Sequence, residues 1–455
     1  MRNRESVTSV IKAYDVRGVV GRDIDADFIR ETGAAFGHLL RGEGETQVVI
    51  GYDMRPSSPE LAGAFAEGLN SQGINVVLLG LTSTDELYFA SGTMECAGAM
   101  FTASHNPAQY NGIKMCRSGA RPVGQQSGLA EIIDMLVSGV PAYNGASGTV
   151  AEQDVLADYG VFLRNLVDLS GIRPLVVAVD AANGMGGHTV PEVFAGLPLD
   201  IRPLYFELDG TFPNHEANPL DPKNLVDLQK FTVEQGADIG LAFDGDADRC
   251  FVVDEAGEPV SPSAICAIVA KRYLQEHPGA TIIHNLITSK SVPEVIAENG
   301  GTAVRTRVGH SFIKATMAET GAVFGGEHSA HYYFTEFFNA DSGILAAMHV
   351  LAALGSQDLP LSEMMAEFNR YEASGEINST VDDQAARTQA VLDAFADRIE
   401  SIDELDGVTV ELQGTSAWFN VRASNTEPLL RLNVEAPTRG EVDTLVEEIL
   451  SIIRA

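Results

Sequence analysis

The stretch "IGLAFDGDADRCFVV", residues 239–253, sets two apolar runs on either side of six residues, three of them aspartates. Continuous Ile, Leu, Val and Phe runs of this length read as strands buried on both faces. The same plan, an apolar run ending abruptly in Gly, Asp or Asn, recurs in "VVIGYDMR" (48–55), "LVVAVDAANGMG" (175–186) and "TIIHNLITSK" (281–290). Helical patterns lie between these runs. The repeat therefore predicts an α/β protein built on parallel or mixed sheets.

Working outward, Ser58 suits a helix N-cap and Pro59 the first turn. Leu61, Ala64, Phe65, Gly68 and Leu69 then line one face until Gly73 ends the helix. Near the end of the chain Val442, Leu445, Val446, Ile449, Leu450 and Ile453 keep the same spacing. A length of 455 residues predicts three or four domains. The turn-rich "PAYNGASGT" (141–149) marks a first boundary, the acidic cluster near 250 a second, and a polar helix with solvated strands begins after "LPLSEMMAEFNRYEASGE". The expected spans are 1–145, 146–250, 251–368 and 369–455, the last a smaller α+β domain.

Thirty basic residues against 63 acidic ones give a net charge of −33, which excludes nucleic acid and anionic membranes as partners. An anionic small molecule would need a local pocket of Arg and Lys against that field. The four cysteines show neither CxxC nor zinc-like spacing and read as reduced thiols. The N-terminus lacks a signal-peptide core and no apolar run approaches a membrane span, so a cytoplasmic location is expected.

Asp244, Asp246 and Asp248 repel one another unless a cation neutralises them, and their hard oxygens select Mg2+, Mn2+ or Ca2+. Gly245 and Ala247 are small enough to let the loop curl around one ion. An EF-hand is excluded because Arg249 stands where that loop needs Gly and the flanks are strand-like. Arg249 beside three acids also suggests an anion near the metal.

In "TASHNPAQYNGIK" (102–114) Ser104 and His105 invite a hydrolase reading, but the G-x-S-x-G elbow is absent and adjacent side chains diverge on an extended chain. With a metal loop in the same chain, Ser104 reads better as a phosphate carrier whose phosphoserine completes the coordination of the ion. Phosphoryl transfer needs such a metal, cations to hold the phosphate, and an in-line acceptor. The "VRASNTEPLLRL" segment supplies Arg422, Ser424, Asn425, Thr426 and Arg431 as donors for one tetrahedral anion. In "GGEHSAHYYF", Glu327, Ser329 and His331 would share one side if the segment were extended, and a carboxylate beside a hydroxyl suits vicinal sugar hydroxyls. "TRVGHSFIK" (306–314) adds a Gly-His turn with Arg307 and Lys314.

Seven motifs in this order, "AYDVRG", "GYDMRPSS", "TASHNP..YNGIK", "DGDADR", "TRVGHSFIK", "GEHSAH" and "RASNTEPLLRL", resemble the α-D-phosphohexomutases, most closely the phosphomannomutase/phosphoglucomutase branch. The resemblance runs nearly end to end. It implies three similar α/β/α domains with mixed sheets and a smaller C-terminal α+β domain around a central cleft. It implies that Ser104 is phosphorylated in the active form and that its phosphate, with Asp244, Asp246 and Asp248, binds Mg2+. Tyr14 and Arg17 match the N-terminal active-site motif and Lys114 the "NGxK" lysine, reaching toward the phosphate. Glu327 and Ser329 match residues gripping sugar hydroxyls, and Arg422, Ser424, Asn425 and Thr426 match the distal phosphate loop. Arg249, Lys290, Gly309, His310 and Arg431 complete the implied substrate contacts.

The implied reaction interconverts hexose 6-phosphate and hexose 1-phosphate through a hexose 1,6-bisphosphate that is both intermediate and activator. His331 and Lys114 are the candidates for proton movement, with Arg17 and His105 stabilising charge; the lysine would need a depressed pKa to act as a base. Sugar phosphates are the expected partners of a monomer or homodimer. Phosphoglucosamine mutase is the same-family alternative, and a metal-dependent sugar phosphatase or a non-catalytic sugar-phosphate-binding protein the alternatives of another class. Three positions depart from the family pattern. Ala247 and Ala330 replace frequent glycines, and Ala247 should fit only with a negative φ. His328 stands where this branch often has Met.

Overall fold

The computed structural model describes residues 2–424 and 428–455. The chain divides into two compact units, residues 1–260 with 329–362, and residues 261–328 with 363–455. The first unit holds two mixed sheets. In one, Gln47–Tyr52 lies parallel to both Asn75–Leu81 and Ala97–Phe101, and Ala97–Phe101 runs antiparallel to Tyr110–Arg117, which carries Val16–Val19 on its far side. In the other, Leu175–Asp180 lies between Leu199–Leu204 and Ile239–Phe243, parallel to both. The apolar runs 48–51, 97–101 and 239–243 are buried along their whole length, as strands covered on two faces must be.

Ile239–Phe243 turns back on itself, pairing antiparallel with Cys250–Asp254 in a register that sets Phe243 opposite Cys250. The tri-aspartate loop is thus the turn of a hairpin. Its sheet runs on through Pro259–Val260, beyond the 146–250 span expected from the sequence, because Cys250–Asp254 is laddered to Ile239–Phe243 and Pro259–Val260 in turn to Cys250–Asp254. The first unit also contains the short pair Tyr332–Phe334 and Ala340–Asp341, and the buried helix Gly343–Gly355.

The second unit carries Thr281–Asn285 parallel to Thr302–Thr306 and Phe324–Gly326. It also holds an antiparallel sheet ordered Glu372–Ala373, Leu429–Ala436, Trp418–Ala423, Val408–Leu412 and Ile399–Asp403. The helices Gln384–Phe395 and Arg439–Ile453 bury Val391, Phe395, Val442, Leu445, Ile449 and Ile453 in the same core cluster as the strands. These strands are less solvated than their sequence suggested: Val410, Leu412, Leu430, Leu432 and Val434 are all buried.

The helix expected after Ser58 spans Ser58–Ser71 and buries the five predicted residues. Ser58 is its first residue rather than its cap. Its hydroxyl, fully buried, donates to Asp53 Oδ1 at 2.6 Å and accepts from Asn111 Nδ2 at 2.9 Å. Partners at the ends of two neighbouring strands outcompete the local backbone. Among the described residues no helix is long and apolar enough to cross a membrane.

Candidate active site

The first unit gathers its chemistry where two strand ends meet. Asp244, Asp246 and Asp248 occupy the hairpin turn and are completely buried. Gly245 lets the serine loop approach: a Cβ there would stand 2.4 Å from the Ser104 carbonyl oxygen. The turn closes through Ala247 N–H donating to the Asp244 carbonyl at 3.1 Å, with Ala247 at φ +62°. The expected negative φ is therefore overturned, and Ala330 likewise adopts φ +63°. Each sits inside the narrow left-handed basin that an L-residue can reach, and alanine carries the smallest Cβ substituent.

Ser104 follows the strand Ala97–Phe101, with φ +47°. Its N–H is held by Thr102 Oγ1 at 2.8 Å, and its hydroxyl donates to Asp244 Oδ2 at 2.9 Å. His105 Nδ1 lies 3.2 Å from the same hydroxyl and 2.6 Å from Arg249 Nη2, and Arg249 Nε donates to Asp244 Oδ2 at 2.9 Å. Adjacent side chains thus do meet on one atom, contrary to the expectation for an extended chain, because the left-handed backbone at Ser104 turns them together. Burial, with the guanidiniums of Arg249 and Arg17, pushes the His105 ring down to about 2. His105 is therefore a neutral acceptor. Arg17 grips the same loop, donating to the Ala103 carbonyl at 2.7 Å and to Asn106 Oδ1 at 2.5 Å, and pairs with Asp15. Tyr14, three residues earlier, is 36% exposed.

Lys114 reaches Asp246 Oδ2 at 2.7 Å and Asp248 Oδ2 at 2.5 Å rather than Ser104. Burial would lower its pKa, but Asp246 and Asp248 outweigh that and raise it well above the ordinary value. This is the reverse of the depression a base role requires, so Lys114 stands here as an ammonium. Asp246 is held below the usual carboxylate range, since Lys114 and the Thr84 hydroxyl more than offset its burial. Asp244 moves the other way, pushed up to about 7 by burial despite Arg249.

The donor set fits a hard divalent cation. Ligand oxygens of the three aspartates lie within 4.8 Å of one another, and Asp246 Oδ1 and Asp248 Oδ1 are buried without a hydrogen-bond donor among the described residues. Such orphaned oxygens cost roughly 1–3 kcal/mol each unless something takes them. Mg2+ accepts carboxylate oxygens of this kind.

His331 Nδ1 pairs with Asp341 Oδ2 at 3.0 Å. Burial would lower its pKa, but Asp341 and the field of Asp248 raise it overall. Residues 328–330 form a turn between strands, so the extended run that would have put Glu327, Ser329 and His331 on one side does not exist. Glycine-like backbone at Ala330 sets that turn, and Ser329 lies in it.

In the second unit Glu327 is buried and accepts from Gly309 N–H at 3.0 Å and Asn285 Nδ2 at 3.3 Å. His328 Nδ1 meets Ser263 Oγ at 3.2 Å. Arg422 and Arg431 face each other across paired strands, with Glu376 between them at 3.2 and 3.7 Å and Asp406 3.6 Å from Arg422. Ser424 N–H donates to the Leu429 carbonyl at 2.8 Å. Asn425, Thr426 and the His310 side chain lie outside the described residues. Lys290 donates its N–H to Glu435 Oε1 at 2.9 Å and sets Nζ 3.4 Å from Glu411.

Several contributors escaped the sequence reading. Arg55, completely buried and paired with Asp53, donates to the carbonyls of Ser104, Asn106, Pro107 and Tyr110 at 2.7–3.0 Å. The stretch 48–55 was conspicuous, but nothing local says that an arginine folds inward to hold a loop fifty residues away. Thr84 donates to Asp246 Oδ2 at 2.5 Å, and Asp341 pairs with His331; neither belongs to a motif singled out in the sequence.

Four domain families match in succession: phosphoglucomutase/phosphomannomutase alpha/beta/alpha domain I over residues 8–137, domain II over 157–257, domain III over 261–371, and the C-terminal domain over 376–452. A phosphomannomutase of Salmonella montevideo is 36% identical over 457 residues, covering 98% of each chain. A phosphoglucomutase of Neisseria meningitidis is 34% identical, covering 98% of this chain and 97% of its own. Among solved structures, a phosphoglucomutase/phosphomannomutase family protein of Burkholderia thailandensis superposes with a TM-score of 0.90 at 32% identity, covering 100% of this chain and 98% of its own. With its fold, its ordered motifs and these end-to-end matches in agreement, the chain belongs to the phosphoglucomutase/phosphomannomutase family of isomerases.

Proposed function

We propose that the protein interconverts mannose or glucose 6-phosphate and the corresponding 1-phosphate through a phosphoserine at Ser104. The observation that carries this reading is the placement of the Ser104 hydroxyl 2.9 Å from Asp244, against a triad with two orphaned oxygens. A phosphate on that oxygen would add acceptors to a site already short of cations. When bound, Mg2+ neutralises non-bridging phosphate oxygens.

The chain's own residues do the rest. In the first transfer the bond from phosphorus to Ser104 Oγ breaks while one forms to a sugar hydroxyl oxygen, whose proton must leave. His331 takes it: Asp341 holds Nδ1, leaving Nε2 as the exchanging atom. Arg249 and Arg17, both anchored beside Ser104, balance charge on the transferring group. After the bisphosphate reorients, its other phosphate returns to Ser104 and the proton is given back. Arg422 and Arg431 bind the distal phosphate in exchange for their pairs with Glu376 and Asp406, and Ser424 adds its hydroxyl. Glu327 grips sugar hydroxyls.

Intact mass before and after phosphatase treatment, with peptide mapping, tests the carrier. A phosphate on Ser104 is expected, and a fully active enzyme unable to acquire one overturns it. Turnover with each 6-phosphate sugar and a trace of bisphosphate tests the substrate. Conversion of glucosamine 6-phosphate alone rejects the mannose/glucose reading, and stoichiometric release of inorganic phosphate would make the protein a phosphatase.

A further inference from the structure

The start of the helix Thr84–Thr93 touches both halves of the catalytic cluster in the first unit. Thr84 donates its N–H to the Asp246 carbonyl at 3.1 Å as well as its hydroxyl to the carboxylate. The next residue, Asp85, is completely buried and collects hydroxyls from three segments: Ser83 on Oδ1 at 2.5 Å, and Tyr159 and Ser342 on Oδ2, each at 2.7 Å. The helix has a capping box of its own in Ser83 and Glu86, and Asp85 Oδ1 shares the Glu86 N–H at 3.0 Å, which leaves Oδ2 to the two remote hydroxyls. Burying a carboxylate is costly, and packing alone would be better served by an apolar side chain.

Ser342 gives the arrangement its meaning. It directly follows Asp341, the partner of His331, and its own N–H is tied to the Tyr332 carbonyl at 3.1 Å. Resting on the mutase reading, we propose that Asp85 is a positioning residue: through Ser342 it fixes Asp341, and so aims the His331 ring, relative to the metal loop that the adjacent Thr84 holds. One buried carboxylate thereby ties the proton carrier to the phosphoryl site, which lie far apart in sequence.

Two substitutions each remove one hydroxyl from Asp85 Oδ2. Ser342→Ala breaks the path to His331, whereas Tyr159→Phe leaves it intact. We expect Ser342→Ala to lower kcat by about 10- to 100-fold with KM unchanged, the loss typical of outer partners of a catalytic group. Ser342→Thr should restore kcat, and Tyr159→Phe should retain it. Because Ser342 also caps the helix Gly343–Gly355, Ser342→Gly serves as a second variant that keeps most of the cap. In protein carrying 15N-histidine, the Nδ1–H signal of His331, assigned by its loss in His331→Gln, should shift or broaden in Ser342→Gly but not in Tyr159→Phe. Equal kcat losses in both substitutions, or an unmoved His331 signal in Ser342→Gly, overturn the proposal. Wild-type protein that converts no hexose phosphate overturns the mutase reading instead, and the ring-nitrogen spectra still decide the positioning role.

Discussion

Lys114 and Ala247 show how one residue's surroundings set its part in the site. Removing Lys114 would leave Asp246 and Asp248 buried and unpaired, a change that costs roughly 3–5 kcal/mol in comparable sites. Lys114→Ala should therefore lower the thermal unfolding midpoint in metal-free buffer. Added Mg2+ should raise that midpoint more in the variant than in the wild type; equal gains would mean that the lysine and the cation do not share these carboxylates. Ala247 at φ +62° bears the cost of a left-handed L-residue, roughly 1–2 kcal/mol, partly offset by the greater freedom of glycine in the unfolded chain. Ala247→Gly should stabilise the protein by up to about 1 kcal/mol, read as a raised unfolding midpoint. A lowered midpoint would show that packing of the buried methyl outweighs the strain. The sequence displayed both residues, but the sign of φ depends on how the turn closes onto Asp244, which no local pattern announces.

At the scale of one element, the helix Thr84–Thr93 begins with two buried acids. Burial pushes Glu86 up to about 8 from an ordinary value of 4.5. Between these values the folded protein keeps a proton that the unfolded chain has lost, so this contribution to stability is full below about pH 4.5 and disappears as pH rises through 8. Each unit of difference corresponds to about 1.4 kcal/mol, which makes the whole effect on the order of 5 kcal/mol. Glu86→Gln preserves the capping geometry and removes the proton. The fall in unfolding midpoint between pH 5.5 and 8.5 should be smaller in Glu86→Gln than in the wild type, and parallel curves would refute the assignment. The helix at Ser58 teaches a related lesson. Its apolar face was legible from spacing, whereas its first serine serves Asp53, just past the end of one strand, and Asn111 in another.

Over the whole molecule a net charge of −33 works against compactness, since like charges lie closer together in the folded chain. The Debye length shrinks from about 10 Å at 0.1 M salt to about 3 Å at 1 M. Raising KCl from 0.05 to 1 M should therefore increase the unfolding midpoint, as scanning calorimetry would record. A decrease would mean that exposed pairs such as Arg398 with Glu448 outweigh the general repulsion.

The α/β class, the mixed sheets, the order of the motifs and the tri-aspartate loop were all readable from the chain, because apolar periodicity and short-range chemistry are local properties. Which atoms meet was not. Arg55 closing the serine loop, Thr84 on Asp246, Asp85 gathering three hydroxyls and Asp341 behind His331 join residues up to 257 positions apart. Such pairings arise only when the chain has folded and its strand ends and loops converge, and they determine which groups carry charge there. Burial and neighbours, absent from the linear chain, keep His105 neutral and Lys114 charged.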